Sequence, residues 1–334
     1  MNKKIAFGIK LALTAGILTY LLLKVDWTQL GQEFAKTNPW WYGLALLTTL
    51  AGMCLTAIRW RWLLRVQGIS LPHRRAFSLT FIGMFFNAFL LGTTGGDLSK
   101  LYYITKEAPD QKTKAVLSVV MDRAIGLLAL LALGLIVLPF KASVLWQDAD
   151  TRNLALLLLV LFALGIGGLL FLIFTPFDRS PDWLRQLWER VPGREIIATL
   201  LEGVRQHGRS ARLTISAFLL SLVLQMFLIL GGWFLAFALQ LEIPLVTIIL
   251  ILAIVQVAIS LPISIGGHGV REGVFFILFL AFGYVDTQTG KEVAIAYSIL
   301  FFGLQLFCSL IGGVVYFLAR SNAPDAPVPS RSSP

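Results

Sequence analysis

The chain has 334 residues, of which 57% are hydrophobic and 14% are charged, and its formal net charge is +10. Soluble domains carry about 25% charged residues, so the composition argues against a soluble protein. The Lys and Arg residues cluster at the ends of apolar segments, which is typical of membrane topology signals rather than of nucleic-acid binding. Several apolar runs of about 20 residues match the thickness of a bilayer. We therefore expect a polytopic integral membrane protein.

The chain begins with MNKK and an apolar run over residues 6–23. No small-residue cleavage site follows, so we expect a retained first span with a cytoplasmic N-terminus. The segment from Trp27 to Phe34 has apolar residues on one helical face, which predicts a short interfacial helix. The second predicted span covers residues 39–58 and ends in RWRWLLR, a basic flank typical of the cytoplasmic side.

The next apolar stretch, residues 76–92, is short and ends in GTTGGD. A basic stretch follows it, with lysines at positions 100, 106, 112 and 114. A full crossing would place these lysines outside, whereas a segment that enters and returns keeps them in the cytoplasm. Short apolar stretches interrupted by glycine are typical of broken helices in transporters. We interpret residues 76–92 and 97–107 as the two arms of a re-entrant hairpin.

Four further spans and a second hairpin follow. The predicted spans are residues 115–139, 153–175, 213–239 and 292–319. The Arg-rich segment 178–212 is predicted to be cytoplasmic, and part of it has the apolar stripe of a surface-lying helix. The second hairpin has its arms at residues 245–262 and 273–284 and enters from outside.

The predicted fold is thus an all-α integral membrane protein with about six full transmembrane helices. Two oppositely oriented re-entrant helical hairpins complete it, in an arrangement like an inverted repeat. Residues 1–320 form one membrane domain. Residues 321–334 form a Pro/Ser-rich cytoplasmic tail, which we expect to be disordered.

Two glycine pairs, Gly95-Gly96 and Gly266-Gly267, lie where the hairpins turn, and Asn87 interrupts the first entering arm. Backbone that is not helical at membrane depth must line a cavity or be buried in protein. A helix that starts there presents free N–H groups and a positive dipole end, which attract phosphate. The alternative is that the glycines only permit tight helix packing.

Ionisable residues in apolar surroundings form a second signal. They are Asp97, Lys100, Asp122, Arg123, His268, Arg271 and Glu272. A charge at a helix centre costs about 2.5–3.5 kcal/mol on insertion scales, so each should face the protein interior or water. Neighbours in a helix point about 100° apart, so we expect Asp122-Arg123 and Arg271-Glu272 to find partners on other elements. Arg271 is the first candidate for a phosphate ligand, because a guanidinium grips phosphate through a planar fork.

Each of these residues also has an ordinary structural interpretation. Asp122 and Arg123 would reach the cytoplasmic interface by snorkelling. Asp97 would cap its helix, and His268 would be a turn residue. Metalloprotease, hydrolase, P-loop and CxxC motifs are missing from the sequence. The pattern TGGD only approaches the GxGD of intramembrane aspartyl proteases, so we expect no catalytic residue, no metal and no cofactor.

Three stretches, NAFLLGTTGGDLSKLYY, SVVMDRAIGLLALL and SLPISIGGHGVREGVFF, together resemble the lysylphosphatidylglycerol synthase transmembrane-region family over roughly residues 5–320. Members are also called flippase-like domain proteins. In the best-known members this region moves aminoacylated phosphatidylglycerol across the membrane, while a separate soluble domain makes that lipid. The sequence contains no such synthase domain, so the resemblance implies transport. Other relatives are linked to polyprenyl-phosphate sugars or hopanoids, which leaves the lipid open.

The resemblance also implies a set of site residues. The family motifs fall on Asn87, Gly95, Gly96, Asp97, Asp122, Arg123, Gly266, Gly267, Gly269, Arg271 and Glu272. Many relatives have Pro-Gly before the first motif, where this chain has Leu91-Gly92-Thr93, so the resemblance does not define the exact bend of the first hairpin.

The sequence therefore predicts a lipid flippase of the bacterial inner membrane with both termini in the cytoplasm. Its expected partners are anionic or phosphate-bearing membrane lipids and not nucleic acid, and self-association into a homo-oligomer is left open. Two alternatives are a membrane-embedded lipid-modifying enzyme that uses the same carboxylates and a small-solute or ion transporter of similar architecture.

Overall fold

The computed structural model describes residues 26–89, 95–147, 149–174, 194–260, 267–288 and 290–321. These ranges contain helices and no strand. In chain order the helices are α1 (Trp27–Ala35), α2 (Pro39–Val66), α3 (His73–Phe89), α4 (Gly95–Glu107), α5 (Lys112–Val137), α6 (Ala142–Leu145), α7 (Ala149–Phe174), α8 (Arg194–Arg209), α9 (Ala211–Ala238), α10 (Leu245–Ser260), α11 (Val270–Ala281) and α12 (Gly290–Ser321). Short 3-10 turns, Pro109–Gln111 and Leu138–Lys141, flank α5.

Five helical stretches in the described ranges are long and apolar enough to cross a membrane. They are Pro39–Val66, Pro109–Leu145, Thr151–Leu169, Ala211–Ala238 and Gly290–Leu318. Each matches one predicted span, so the all-α integral membrane class is confirmed. The predicted first span (residues 6–23), the first part of the Arg-rich segment (178–193) and the tail from residue 322 lie outside the described residues.

Contacts between helix termini define two ends of the bundle. At the upper end, the Asn38 N–H donates to the Ala238 carbonyl (2.8 Å), so α2 starts beside the end of α9. The Asp26 N–H donates to the Glu292 carboxylate (3.3 Å), which places the start of α12 at that end too. At the lower end, the Gln67 side-chain amide donates to the Gly203 carbonyl (3.0 Å) on α8. The helices α2 and α12 therefore run in the same direction.

The two short helix pairs start from opposite ends. Arg75 at the start of α3 forms an ion pair with Glu107 at the end of α4, and both lie at the lower end. At the upper end, the Tyr284 hydroxyl donates to Thr247 Oγ1 (3.2 Å) and joins the end of α11 to the start of α10. This opposed arrangement agrees with the sequence pattern, and the re-entrant position of both pairs in a bilayer stays a prediction.

Helix lengths place the inner ends of both pairs near half height. The 28 residues of α2 span about 42 Å at 1.5 Å per residue. The entering arms are much shorter: α3 has 17 residues, or about 26 Å, and α10 has 16, or about 24 Å. Each pair of arms thus ends about midway between the two ends of the bundle.

The main apolar core surrounds α10. This helix is apolar on all sides, as expected of a helix enclosed by others, and it packs against α5, α7, α9 and α11. Its residues from Thr247 to Val255 are all buried. The first helix of the second pair, α10, therefore lies at the centre of the bundle, whereas α3 of the first pair packs on α12 and α4.

Candidate functional site

Each hairpin has a group of charged side chains beside it. The group beside the first hairpin, called here the first charged cluster, contains Arg59, Asp97, Lys100, Asp122 and Arg123. It joins α2, α4 and α5. The group beside the second hairpin, called the second charged cluster, contains Gly269, Arg271 and Glu272 of the α11 start with Ser298 and Phe302 of α12.

Asp122 is the centre of the first charged cluster. Its Oδ1 accepts from Arg59 Nε at 2.8 Å, and Arg59 Nη1 donates onward to Ser221 Oγ on α9 at 3.0 Å. Lys100 Nζ lies 3.9 Å from Asp122 Oδ2. The side chains of Arg59, Lys100 and Asp122 are each at most 10% exposed. This part of the cluster is a buried network that ties four helices together.

Glycines make room for these buried cations. A Cβ atom at Gly126 would lie 2.9 Å from Arg59 Nη1, and one at Gly83 would lie 2.9 Å from Lys100 Cγ. The Lys100 ammonium also stands 5.1 Å from the centre of the Trp60 ring, whose face attracts a cation. The local sequence therefore provides both space and partial compensation for charge.

The second part of the first charged cluster is accessible. Arg123 Nε donates to Asp97 Oδ2 at 2.7 Å, and the side chains are 50% and 23% exposed. Asp97 lies ten residues before the end of α4, and Arg123 eleven residues after the start of α5. At 1.5 Å per residue both are about 15 Å inside the lower end. An exposed guanidinium at that depth faces either lipid or a cleft.

The first charged cluster carries an excess of positive charge. With every group ionised, the cations are Arg59, Lys100 and Arg123 and the anions are Asp97 and Asp122. Three minus two leaves a net charge of one. Among these five residues the cations outnumber the carboxylates, and positive charge in low dielectric favours an anionic ligand.

The second charged cluster is closed on itself. Glu272 Oε2 accepts from the Gly269 N–H (2.6 Å), and Glu272 Oε1 accepts from Ser298 Oγ (2.6 Å). Arg271 donates through Nε to Ser298 Oγ (2.5 Å) and through Nη2 to Glu272 Oε1 (3.1 Å). The Phe302 ring lies 5.3 Å from the guanidinium carbon. Both ionised side chains are less than 10% exposed, and their charges balance.

The backbone before α11 explains this geometry. Gly267 and Gly269 have φ angles of 77° and 85°, a region that glycine enters readily and other residues avoid. A Cβ atom at Gly267 would lie 2.8 Å from the Ile259 Cβ. The chain therefore turns tightly against α10, and the Glu272 carboxylate satisfies a backbone N–H that the turn leaves free.

The structure brings most of the predicted first-hairpin residues together. The Gly96 N–H donates to Asn87 Oδ1 at 2.6 Å, and Gly95 is buried beside it at the start of α4. A Cβ atom at Gly96 would overlap the Gly83 carbonyl oxygen. Tight helix packing thus requires glycine at position 96, and substrate binding by Asn87, Gly95 and Gly96 stays a prediction.

The structure tests one further prediction about the site. Asp122 and Arg123 find their partners on other helices, as predicted. Gly266, in contrast, lies outside the described residues.

Arg271 and Glu272 find a partner on another element, Ser298 of α12, as predicted. They also pair with each other, which the divergence of neighbours on a helix does not predict. The two residues do leave α11 in different directions, but the long Arg271 side chain and the Glu272 carboxylate converge on Ser298 of α12. Ser298 lies on a different helix and is a hydrogen-bond partner of both side chains. A helix on its own does not provide such a shared partner. Asp97 and Asp122, the carboxylates of the first charged cluster, are paired with Arg123 and Arg59 and not with Arg271.

Lys100 fits one of the two predictions made for it. It is only 7% exposed and reaches Asp122, as expected of an ionisable residue that faces the protein interior, and it does not share the exposed flank of the following lysines. The reason is that Lys100 is seven residues before the end of α4, about 10 Å inside the lower end. The other three lysines of that stretch lie in the last turn of α4 or at the start of α5.

Sequence reasoning missed three residues of the two clusters, Arg59, Ser298 and Phe302, and also Ser221, which accepts a hydrogen bond from Arg59. Arg59 was grouped with the basic flank RWRWLLR, although it stands seven residues, about two turns, before the end of α2 at Val66. This distance from the helix end was the sequence feature that could have indicated that Arg59 lies inside the bundle. The serines are single polar residues in long apolar runs, and nothing local indicates which charge they contact.

Comparisons with known proteins agree with the resemblance. The sequence model of the family described as "Lysylphosphatidylglycerol synthase TM region" matches residues 7–313. A UPF0104 membrane protein of Pyrococcus horikoshii is 26% identical over 301 residues, which cover 83% of this chain and 86% of that protein. No solved structure matches.

Proposed function

Because the chain belongs to the lysylphosphatidylglycerol synthase TM region family, we propose that it translocates a phospholipid or another phosphate-bearing lipid across the membrane. The family supports a lipid-related role. The observation that carries the finer proposal is the half-exposed ion pair between Arg123 and Asp97, about 15 Å inside the bundle.

Arg123 is the proposed ligand of the lipid phosphate. A guanidinium offers a planar set of donors that matches phosphate oxygens, and such charge-assisted bonds are the strong ones. In the empty protein Asp97 neutralises Arg123 at 2.7 Å. An arriving phosphate takes the place of that carboxylate, and the excess positive charge of the first charged cluster favours the exchange.

The surroundings of this pair suit a lipid rather than a water-soluble ligand. Leu98 and Tyr102 on α4 and Val120 on α5 are all more than half exposed. Val120 is three residues before Arg123, so the two share a helix face. Apolar surface therefore borders the charged pair, and a headgroup can bind while its acyl chains stay in the bilayer. A solute transporter with a sealed aqueous path needs no such border.

The second charged cluster has a different proposed role. The planar fork of Arg271 is occupied by Ser298 and Glu272. We assign this cluster to holding the inner end of the second hairpin in place. Substrate binding by Gly267, Gly269, Arg271 and Glu272 stays a prediction, and at Arg271 it requires this network to open.

We place the protein in the cytoplasmic membrane with the lower end of the bundle in the cytoplasm. Basic residues are concentrated at that end, as the positive-inside rule requires; they include Arg65, Arg74, Lys106, Lys112, Arg209 and Arg212. A cysteine at position 106 should react with an impermeant thiol reagent from the cytoplasmic side, and one at position 146 from the opposite side. The reverse labelling pattern would contradict this orientation.

The proposal is tested in proteoliposomes that contain a fluorescent anionic phospholipid, with an impermeant quencher added outside. The wild-type protein should move the labelled lipid faster than empty liposomes. Arg123→Gln should lower the initial rate by about tenfold or more, because a hydrogen bond to a charged group contributes about 1.5–3 kcal/mol. Arg65→Gln, which changes an exposed residue in the last turn of α2, is the matched control.

Two results would count against the proposal. If the wild-type protein moves no lipid, translocation itself is excluded for that lipid. If Arg123→Gln matches the wild type, the exposed pair is not the headgroup site. Conversion of the lipid by protein in micelles would instead support the lipid-modifying alternative.

A further inference from the structure

A pocket of about 370 Å³ opens at the lower end, next to the first hairpin. Two loops line it: residues 68–72, which connect α2 to α3, and residues 107–111, which connect α4 to α5. Its remaining lining residue is Ile104 of α4. By the orientation proposed above, this pocket faces the cytoplasm.

Lys100 lies one helical turn deeper than the pocket. Ile104 and Lys100 are four residues apart on α4 and therefore share a face. Lys100 is only 7% exposed. Its ammonium is 3.9 Å from Asp122 Oδ2, beyond the usual hydrogen-bond range of about 2.7–3.2 Å. Arg59 already holds the other oxygen of that carboxylate at 2.8 Å. A buried ammonium is thus held by one long ion pair and an aromatic face.

Two other buried polar groups, on the helices that pack around Lys100, lack partners among the described residues. They are Trp60 Nε1 and Thr80 Oγ1. The Trp60 ring is the one that faces the Lys100 ammonium. Thr80 precedes Gly83 by three residues on α3, and Gly83 packs against the Lys100 side chain. Buried polar groups are normally satisfied, and ordered water is their usual partner when protein atoms are missing.

We propose that Lys100 is a proton-binding site that couples lipid movement to a proton gradient, and that the pocket above residues 107–111 is its route to the cytoplasmic solution. The inference rests on the proposed translocase function. In the step itself, the Lys100 ammonium transfers one proton to an adjacent water molecule, leaving a neutral amine and a hydronium ion, and the proton then passes through water past Ile104 into the pocket. The reverse transfer reloads the site.

The charges around Lys100 supply the coupling. The groups that interact with it electrostatically are Asp122, Asp97, Arg59 and Arg123. With Lys100 protonated the first charged cluster has a net charge of plus one, and with Lys100 neutral the sum is zero. Asp97, which shares the exposed pair, is three residues from Lys100 on the same face of α4. An anionic headgroup at Arg123 therefore favours proton uptake at Lys100, and proton release favours headgroup release.

The transport test compares lipid movement with and without a pH difference across the liposome membrane. The wild-type rate should change with the gradient, by up to about tenfold per pH unit for one coupled proton. Lys100→Met and Lys100→Arg fix the charge at zero and at plus one, so both should lose this response. Lys106→Met changes an exposed lysine on the same helix and should keep it.

A second readout does not depend on transport. The Tm of purified protein in detergent is measured between about pH 6 and 9. If Lys100 releases its proton in the folded protein, the Tm of the wild type should rise with pH relative to the Tm of Lys100→Met. The reason is that the unfolded chain then binds more protons than the folded protein. Lys100→Arg should show no such dependence.

Each outcome decides the inference. A wild-type rate that ignores the gradient overturns it, whether or not the variants fold. A gradient response that persists in Lys100→Met also overturns it. If the wild type moves no lipid even without a gradient, the translocase proposal fails, and a pH-independent Tm difference then overturns the proton site separately.

Discussion

The two hairpins have similar lengths and opposite directions, but the charged clusters beside them differ in exposure and in charge balance. Arg123 in the first cluster is half exposed, and its cluster has one cation more than it has carboxylates. Arg271 in the second cluster is 6% exposed and is matched by Glu272. Two helix pairs of similar length thus differ in that one stands beside an accessible ion pair and the other beside a buried, charge-balanced ion pair.

The difference has consequences for mutation. A buried pair that loses one partner leaves a charge without compensation, which destabilises the fold. An exposed pair contributes little to stability, so its loss should mainly change the binding of a ligand. The second cluster should therefore respond to substitution through folding, and the first exposed pair through function.

The largest expected effect is at Glu272. Glu272→Gln removes the charge that balances Arg271 and weakens the cap at Gly269, and the cost of breaking a buried pair is about 3–5 kcal/mol. We expect a much lower Tm and aggregation on size-exclusion chromatography. The double variant Arg271→Met, Glu272→Gln removes both charges and should recover part of the loss. If Glu272→Gln is as stable as the wild type, this cluster does not hold the inner end of the second hairpin in place.

The next effect concerns the inner end of the first hairpin. Gly96→Ala places a methyl group against the Gly83 carbonyl and the Asn87 side chain, and such overpacking costs about 1–3 kcal/mol. Gly43→Ala on α2 is the control, since nothing lies within 4 Å of the added atom. Thermal unfolding in detergent should separate the two variants. The bulkier Gly96→Leu and Gly267→Leu should abolish lipid movement.

A smaller stability effect is expected at Asp97. Because the pair with Arg123 is partly exposed, Asp97→Asn should change stability by less than about 1 kcal/mol. The same variant should still slow lipid movement, because Arg123 then keeps the phosphate that Asp97 would displace. A large loss of Tm in this variant would place the exposed pair in the same class as the second cluster.

The smallest effect lies outside both clusters. His207 on α8 is buried, with its Nδ1 2.9 Å from the Gly203 carbonyl, and burial lowers the pKa of His207, although the hydrogen bond to Gly203 opposes this. A histidine whose pKa is lowered in the folded protein stabilises the fold at pH values above the ordinary histidine pKa of about 6.5. This stabilisation is lost as the pH falls. The Tm should decrease below pH 6.5 and do so less in His207→Gln. Equal pH profiles would contradict this assignment.

The sequence predicted the spans and the two short pairs because length and apolar runs are local properties. It also predicted that Asp122 and Arg123 pair with other helices, since neighbours on a helix diverge. It could not identify Arg59 as the partner of Asp122, because the two are 63 residues apart and meet only when α2 packs on α5. The Arg271–Glu272 pair was missed for the related reason that Ser298 of α12 brings the two together.

The central claim is that the open pair of the first cluster binds lipid phosphate, and native mass spectrometry of co-purified phospholipid tests it most directly. Compared with the wild type, Arg123→Gln should retain less phospholipid and Asp97→Asn should retain more, while Arg65→Gln should be unchanged. Equal retention in Arg123→Gln, Asp97→Asn and the wild type, with all three proteins folded, would contradict the account.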